Sequence, residues 1–377
     1  YGTAIVGTVT GGNIAFGTPV VFDDISAEFM TLVNIPETEK IVITYRDGGP
    51  SVSPGKAIVG TITGDSITFG TPVVFETEHL IRNSPFYDPA TGKVVIVYKG
   101  GDEGRAIAGT VDGNSITFDT PVVFAPASLW YAHTVLDPVK GKFIAAYYDV
   151  EKGGSGSAIV GQVTVDSITF GTSVVFEDGA TCRPNAEYDP ASGNIVLAYK
   201  DSDNSQYGTA IVGTIDGDTM TFGAPVVYAM EKVVSPNVVY DVEANKMVIS
   251  DGHEYDNSNG KIFVGTVSGD SITIGEENTI QPGTCALPRS VYDPVSGKVV
   301  TSYREPDNGS RGVAGVWQTG HSRKNPDQWV GIAQEPIANT VSGKIMLKGG
   351  VDANQAGLRP LDIMYLNDDG TLSTQDN

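Results

Sequence analysis

Apolar and β-branched residues recur along this chain in short runs broken by glycine, proline and aspartate, with no helical period. "KAIVGTIT" (56–63) reads as a strand, "GD" as a two-residue hairpin turn, and "SITFGTPVVF" (66–75) as the return strand. A second hairpin follows, "SPFYDPATGKVVIVYK" (84–99). In its "DPATG" turn, proline presets φ and glycine takes the left-handed position. The same turn recurs at 137–141, 189–193 and 293–297.

These elements form a repeat. "YGTAIVGTVTGGNIAFGTPVVF" (1–22) returns as "YGTAIVGTIDGDTMTFGAPVVY" (207–228). The glycine of its first strand stands at Gly7, Gly60, Gly109, Gly161, Gly213, Gly265 and Gly315, spaced by 53, 49, 52, 52, 52 and 50 residues. Four antiparallel strands per period, A to D, predict the blades of a β-propeller, since a solenoid coil is shorter and needs no pair of hairpins. Pro19, Pro72, Pro121 and Pro225 share one place in strand D, which predicts an outer edge strand, because proline cannot donate to a ladder. Seven C strands predict seven blades over 1–318, the first incomplete, with its A and B strands expected upstream of Tyr1. In a six-bladed alternative, 3–22 completes the blade begun by 285–303. A polar linker (319–328) and a small β module (329–377) follow, with strands expected at "GKIMLKGG" and a hairpin at "LDIMYLNDDGTLS".

The blade units "YGTAIVGT", "SITFGTPVVF" and "YDPxSGKVV" resemble repeat proteins of marine bacteriophages and marine metagenomes. The tail, "VGIA…VDANQAGL…MYLNDDGTLST", resembles a module that follows such repeats in tail-fibre and other virion appendage proteins, departing from it at "MYL" and "RPLD". The resemblance implies a structural virion protein, extracellular on the particle; no catalysis is expected, because no general acid and base are paired with a nucleophile in register. The resemblance also implies host attachment, with a host-surface glycan or protein, other virion proteins and further copies of the chain as partners. A secreted sialidase-like enzyme and a bacterial surface adhesin are the alternatives.

Charge narrows the partners. A net charge of −21 repels nucleic acid on average, and there is no Lys/Arg run. No run of 18 apolar residues suggests membrane insertion. Cys182 and Cys285 fall near the starts of A strands two blades apart, too far for a disulfide, and read as buried free thiols. His79, His133, His253 and His321 lack metal-ligand spacing, and there is no GxSxG elbow. No cofactor is expected. Asp201, Asp203 and Asn204 in "DSDNSQYG" look oxygen-rich but lack a full calcium-ligand set. Arg82, Arg183 and Arg289 lie near three A-strand starts, where inward arginines would clamp a carboxylate as in sialidases. Arg82 and Arg183 stand five residues before the turn tyrosine and Arg289 only three, and no Asp-box repeat is recognisable.

Comparing the repeats with one another locates the expected binding face. The A–B and C–D turns are uniform, whereas the B–C and D–A loops vary, including "APASLWY" (125–131) and "EDGATCR" (177–183). Variable loops on a rigid scaffold suit recognition. The candidates on that face are Trp130, Tyr131, Asp201, Asp203, Asn204, Tyr207, Tyr255 and Asp256, aromatic planes with polar neighbours.

Overall fold

The computed structural model describes residues 1–48, 53–127, 129–252, 259–306 and 311–319, with four two-residue strands within 332–373. The described residues are all-β, without an α-helix. The chain divides into two units, Tyr1–Thr319 and Gly320–Asn377. In the second, Ile332–Ala333 pairs with Ile345–Met346, and Tyr365–Leu366 pairs with Leu372–Ser373 as the expected hairpin. The expected linker, beyond Thr319, and the rest of the module lie outside the described residues.

The first unit is a β-propeller-like arrangement of antiparallel sheets. In one blade, strand A (Ala27–Ile35) pairs with B (Lys40–Asp47), and B pairs with C (Gly55–Thr63). The A–B–C ladder recurs six times among the described residues. At the A–B turns the aspartate caps the loop: Asp189 accepts from the Ala191 amide at 3.0 Å and the Ser192 hydroxyl at 2.6 Å. The core lies between neighbouring sheets, where Val95 and Val97 of one blade pack with Phe143 and Ala145 of the next.

Strand D departs from expectation. It is split at Gly-Thr-Pro: Ser66–Phe69 pairs with the end of strand C and Val73–Glu76 with its start. The last bond before the break runs from the Gly70 amide to the Val59 carbonyl at 3.0 Å; Pro72 then has no N–H to continue the ladder. Where "GEEN" (275–278) replaces that motif, Ser271–Thr284 runs unbroken. The break is also where blades meet. A Cβ at Gly70 would stand 1.9 Å from the Asn114 carbonyl oxygen of the next blade, and Gly17, Gly171 and Gly223 face Asp65, Asp218 and Asp270 in the same way.

Two connections matter below. Val174–Asp189 is one strand of 16 residues, pairing first with the C strand of one blade and then with the B strand of the next. The variable loop expected at 177–183 is therefore extended ladder. The N-terminal segment forms a hairpin in two halves, Gly2–Ala4 with Val20–Asp23 and Gly7–Thr10 with Asn13–Phe16. It is tied to the blade at 27–76 by the Tyr45 hydroxyl, which donates to Asp23 at 2.6 Å, and by Phe22, edge-on to Tyr45 at 5.4 Å.

Inner A strands have no ladder partner toward the axis, so their amides need other acceptors. At four of them a side chain from the preceding blade supplies one. The Thr134 amide donates to Ser84 Oγ (3.0 Å), Ala186 to His133 Nδ1 (3.1 Å), Val238 to Asn185 Oδ1 (2.8 Å) and Ser290 to Asn237 Oδ1 (2.6 Å).

Candidate functional site: an arginine-bearing channel mouth

Near its start, on the side of the B–C and D–A connections, the A strand slips register by one residue relative to B in five of the six described blades; Asn237–Asp241 pairs without a slip. The extra residue has left-handed backbone: Phe29 (φ 50°), Arg82 (63°), Tyr131 (56°), Arg183 (53°) and Leu287 (52°). This is a β-bulge, a device that re-aims a side chain. Phe29, Arg82, Tyr131 and Arg183 line a cavity of about 790 Å³ among the A strands.

The side chains at this ring interlock. The Arg82 guanidinium sits over Phe29 at 4.5 Å and over Tyr131 at 5.2 Å, and that of Arg183 lies over Tyr131 at 5.6 Å. Arg46 covers Phe29 at 4.5 Å while bonded to Glu28. Arg289 occupies the acceptor row instead, two residues beyond its blade's bulge; its Nη2 donates to Ser235 Oγ at 3.0 Å and Nη1 to the Pro288 carbonyl at 2.8 Å. The register mismatch read from the sequence is real, yet the arginines still converge on one cavity. Desolvation in the mouth and then the charge of Arg183 hold half-buried Arg82 below the ordinary arginine value, and desolvation and then Arg82 and Arg183 do the same for Arg289, which is exposed to the open cavity. Among the described residues neither they nor Arg183 makes an ion pair with a carboxylate, whereas Arg46 and Arg105 do.

Other lumen groups titrate abnormally. Burial, helped by Arg289, pushes the His133 imidazole down to about 4, and burial pushes the Glu187 carboxyl up to about 7. Asp251, the carboxylate acting on Arg289, is buried and engaged: it accepts from the Tyr228 hydroxyl (3.0 Å) and the amides of Gly252 (2.8 Å) and Ser235 (3.3 Å).

The expected residues divide. Tyr131 stands in the mouth between two arginines. Trp130, 37% exposed, faces outward under Lys99 Nζ at 4.4 Å. Asp201 accepts from the Asn204 amide at 3.0 Å, and exposed Asp203 accepts from the Ala180 amide at 2.9 Å, tying two loops together. Tyr207 is half-buried and Asn204 exposed at the same loop. Tyr255 and Asp256 lie outside the described residues, as do His253 and His321. No group of three potential metal ligands occurs among the described residues. Both cysteines are free. Cys285 is buried, its thiol pushed up to about 12 chiefly by burial; Cys182, expected to be buried, is only half-buried. Phe29 carried no sequence signal, since no residue type marks the bulge.

No protein-family model matches the chain, and no curated protein matches its sequence. Solved structures match its fold. The BP39L lectin from Burkholderia pseudomallei aligns with TM-score 0.58 at 8% identity, covering 79% of this chain and 83% of its own. The periplasmic gluconolactonase PpgL from Pseudomonas aeruginosa aligns with TM-score 0.57 at 12% identity, covering 83% and 95%. A mutant of the NanB sialidase from Streptococcus pneumoniae aligns with TM-score 0.53 at 8% identity, covering 77% and 67%. This chain is similar to them in fold.

Proposed function

We propose that the protein is a recognition module that binds a surface ligand at the channel mouth and surrounding loops, within the attachment apparatus of a virion. One observation carries the binding reading. At equivalent positions the blades keep one strained backbone and change the side chain, from Phe29 to Arg82, Tyr131, Arg183 and Leu287. A scaffold that repeats while its displayed residues differ is suited to contacting an asymmetric partner. The reading is of binding without turnover: Asp251, the carboxylate acting on Arg289, is occupied by structural bonds. The virion assignment rests on the resemblance of the repeats and tail.

The ring is read as seven-bladed, with the 2–23 hairpin as the outer half of a blade between those at 286–317 and 27–76. Ile5 is 45% exposed, while its equivalents Ile58 and Ile211 are 1% and 2%. Leu32 is 63% exposed against 3% for Val238. Both border the place an A–B hairpin fills elsewhere.

The test is a microarray of neutral and acidic glycans probed with labelled protein. Binding is expected for the wild type and for Val139→Ala, in a turn on the opposite face. It is expected to fall about tenfold or more in the Trp130→Ala/Tyr131→Asn variant; Asn tolerates the left-handed backbone. Binding absent in the wild type, or unchanged in that variant, overturns the reading. Hydrolysis of an acidic glycoside, abolished by Glu187→Gln, would move the protein to the enzyme class.

A further inference from the structure

We infer that the channel mouth takes the carboxylate of an acidic sugar, held by Arg82, Arg183 and Arg289, with Tyr131 between the first two. The inference rests on the recognition reading and names its ligand class.

The charge balance is the first argument. Acidic side chains number 45 and basic ones 24, so carboxylates to neutralise an arginine are abundant. Yet three arginines converge on one cavity with no carboxylate in ion-pair contact, at a cost visible in their mutual repulsion. Like charges gathered without a counter-charge repel one another, and an anionic ligand relieves that repulsion. The second argument is geometry. Arg82 and Arg183 lie over aromatic rings, a contact that consumes no N–H donor. Their forked donors stay available for the two oxygens of a planar carboxylate. The third is what surrounds the charge. The cavity is also lined by Thr3, Tyr131 and Ser302, half-buried or exposed side chains whose hydroxyls suit those of a sugar ring. The strongly negative molecule also disfavours a polyanion, so one carboxylate on a neutral body fits better than a phosphate.

The purified chain would be titrated calorimetrically with glucuronic acid, N-acetylneuraminic acid, glucose and inorganic phosphate. At least one sugar acid should saturate at millimolar concentration or below, with glucose inert. Arg82→Gln and Arg183→Gln should each weaken binding about tenfold or more, with the strand signature of circular dichroism retained. Arg183→Lys, which keeps charge but loses the fork, should also weaken it. Lys140→Gln, on the opposite face, should not. Failure of both sugar acids to saturate, equal binding of methyl glucuronate ester, stronger binding of phosphate, or an unaffected Arg82→Gln/Arg183→Gln variant each overturns the inference. The two readings fail separately: glycan binding that depends on Trp130 but involves only neutral sugars would leave recognition standing and remove the carboxylate.

Discussion

Five side chains at the mouth share a backbone that L-residues adopt at a cost of about 1–2 kcal/mol each. No glycine relieves it at Phe29, Arg82, Tyr131, Arg183 or Leu287, so each site keeps a side chain that strain argues against. Residue identity does not announce this geometry, which is why the bulge was invisible in the sequence, whereas the "DPxxG" turns were legible from their proline and glycine. Convergence of the arginines was hidden too, because Arg289 reaches the cavity from a different row. Lumen residues also set a pH profile. The depressed His133 contributes stability present above its unfolded value of 6.5 and lost as pH falls through about 4. The raised Glu187 contributes stability present below 4.5 and lost as pH rises through about 7. Melting temperature should therefore fall by a few degrees less between pH 4.5 and 7 in Glu187→Gln than in the wild type. His133→Asn, which retains an acceptor for the Ala186 amide, should flatten the decline between pH 6.5 and 4. Parallel profiles for variant and wild type would contradict these assignments.

At the scale of elements, strand type and order were readable from period-two patterning, but the break in D was not. Its proline was read as an edge marker, when it also ends the first half-strand. The Gly-Thr-Pro motif has a second purpose in the contact of Gly70 with the Asn114 carbonyl. One blade carries Asp119 in place of this glycine, and the turn it faces is rebuilt. That turn has Val165 where other turns have glycine, and Lys93 Nζ bridges the Asp119 carboxylate and the Val165 carbonyl, each at 2.7 Å. Two departures from the repeat thus compensate one another across a blade boundary. Gly70→Ala, with no such compensation, should cost about 1–3 kcal/mol by overpacking. Thermal melting checks this, and an unchanged midpoint would show that the outer contact is slack.

For the whole molecule, the repeat made the propeller class legible, because glycine spacing near 52 residues carries blade size directly. It left the ring's closure and its axis unread, since those depend on contacts between blades with no sequence proximity. Blades also differ in how they are joined. Most connections leave one sheet and enter the next through a loop, but Val174–Asp189 belongs to both ladders along one continuous strand. Cutting the backbone there severs hydrogen-bonded ladder instead of surface chain. A circularly permuted protein with new ends between Asp178 and Gly179 should fail to fold, while one opened between Thr77 and Glu78 should retain the native melting transition. Hydrogen exchange should likewise show the sheets on either side of Val174–Asp189 opening together as a single foldon, which makes this pair of blades the mechanical keystone from which the rest of the ring is hung.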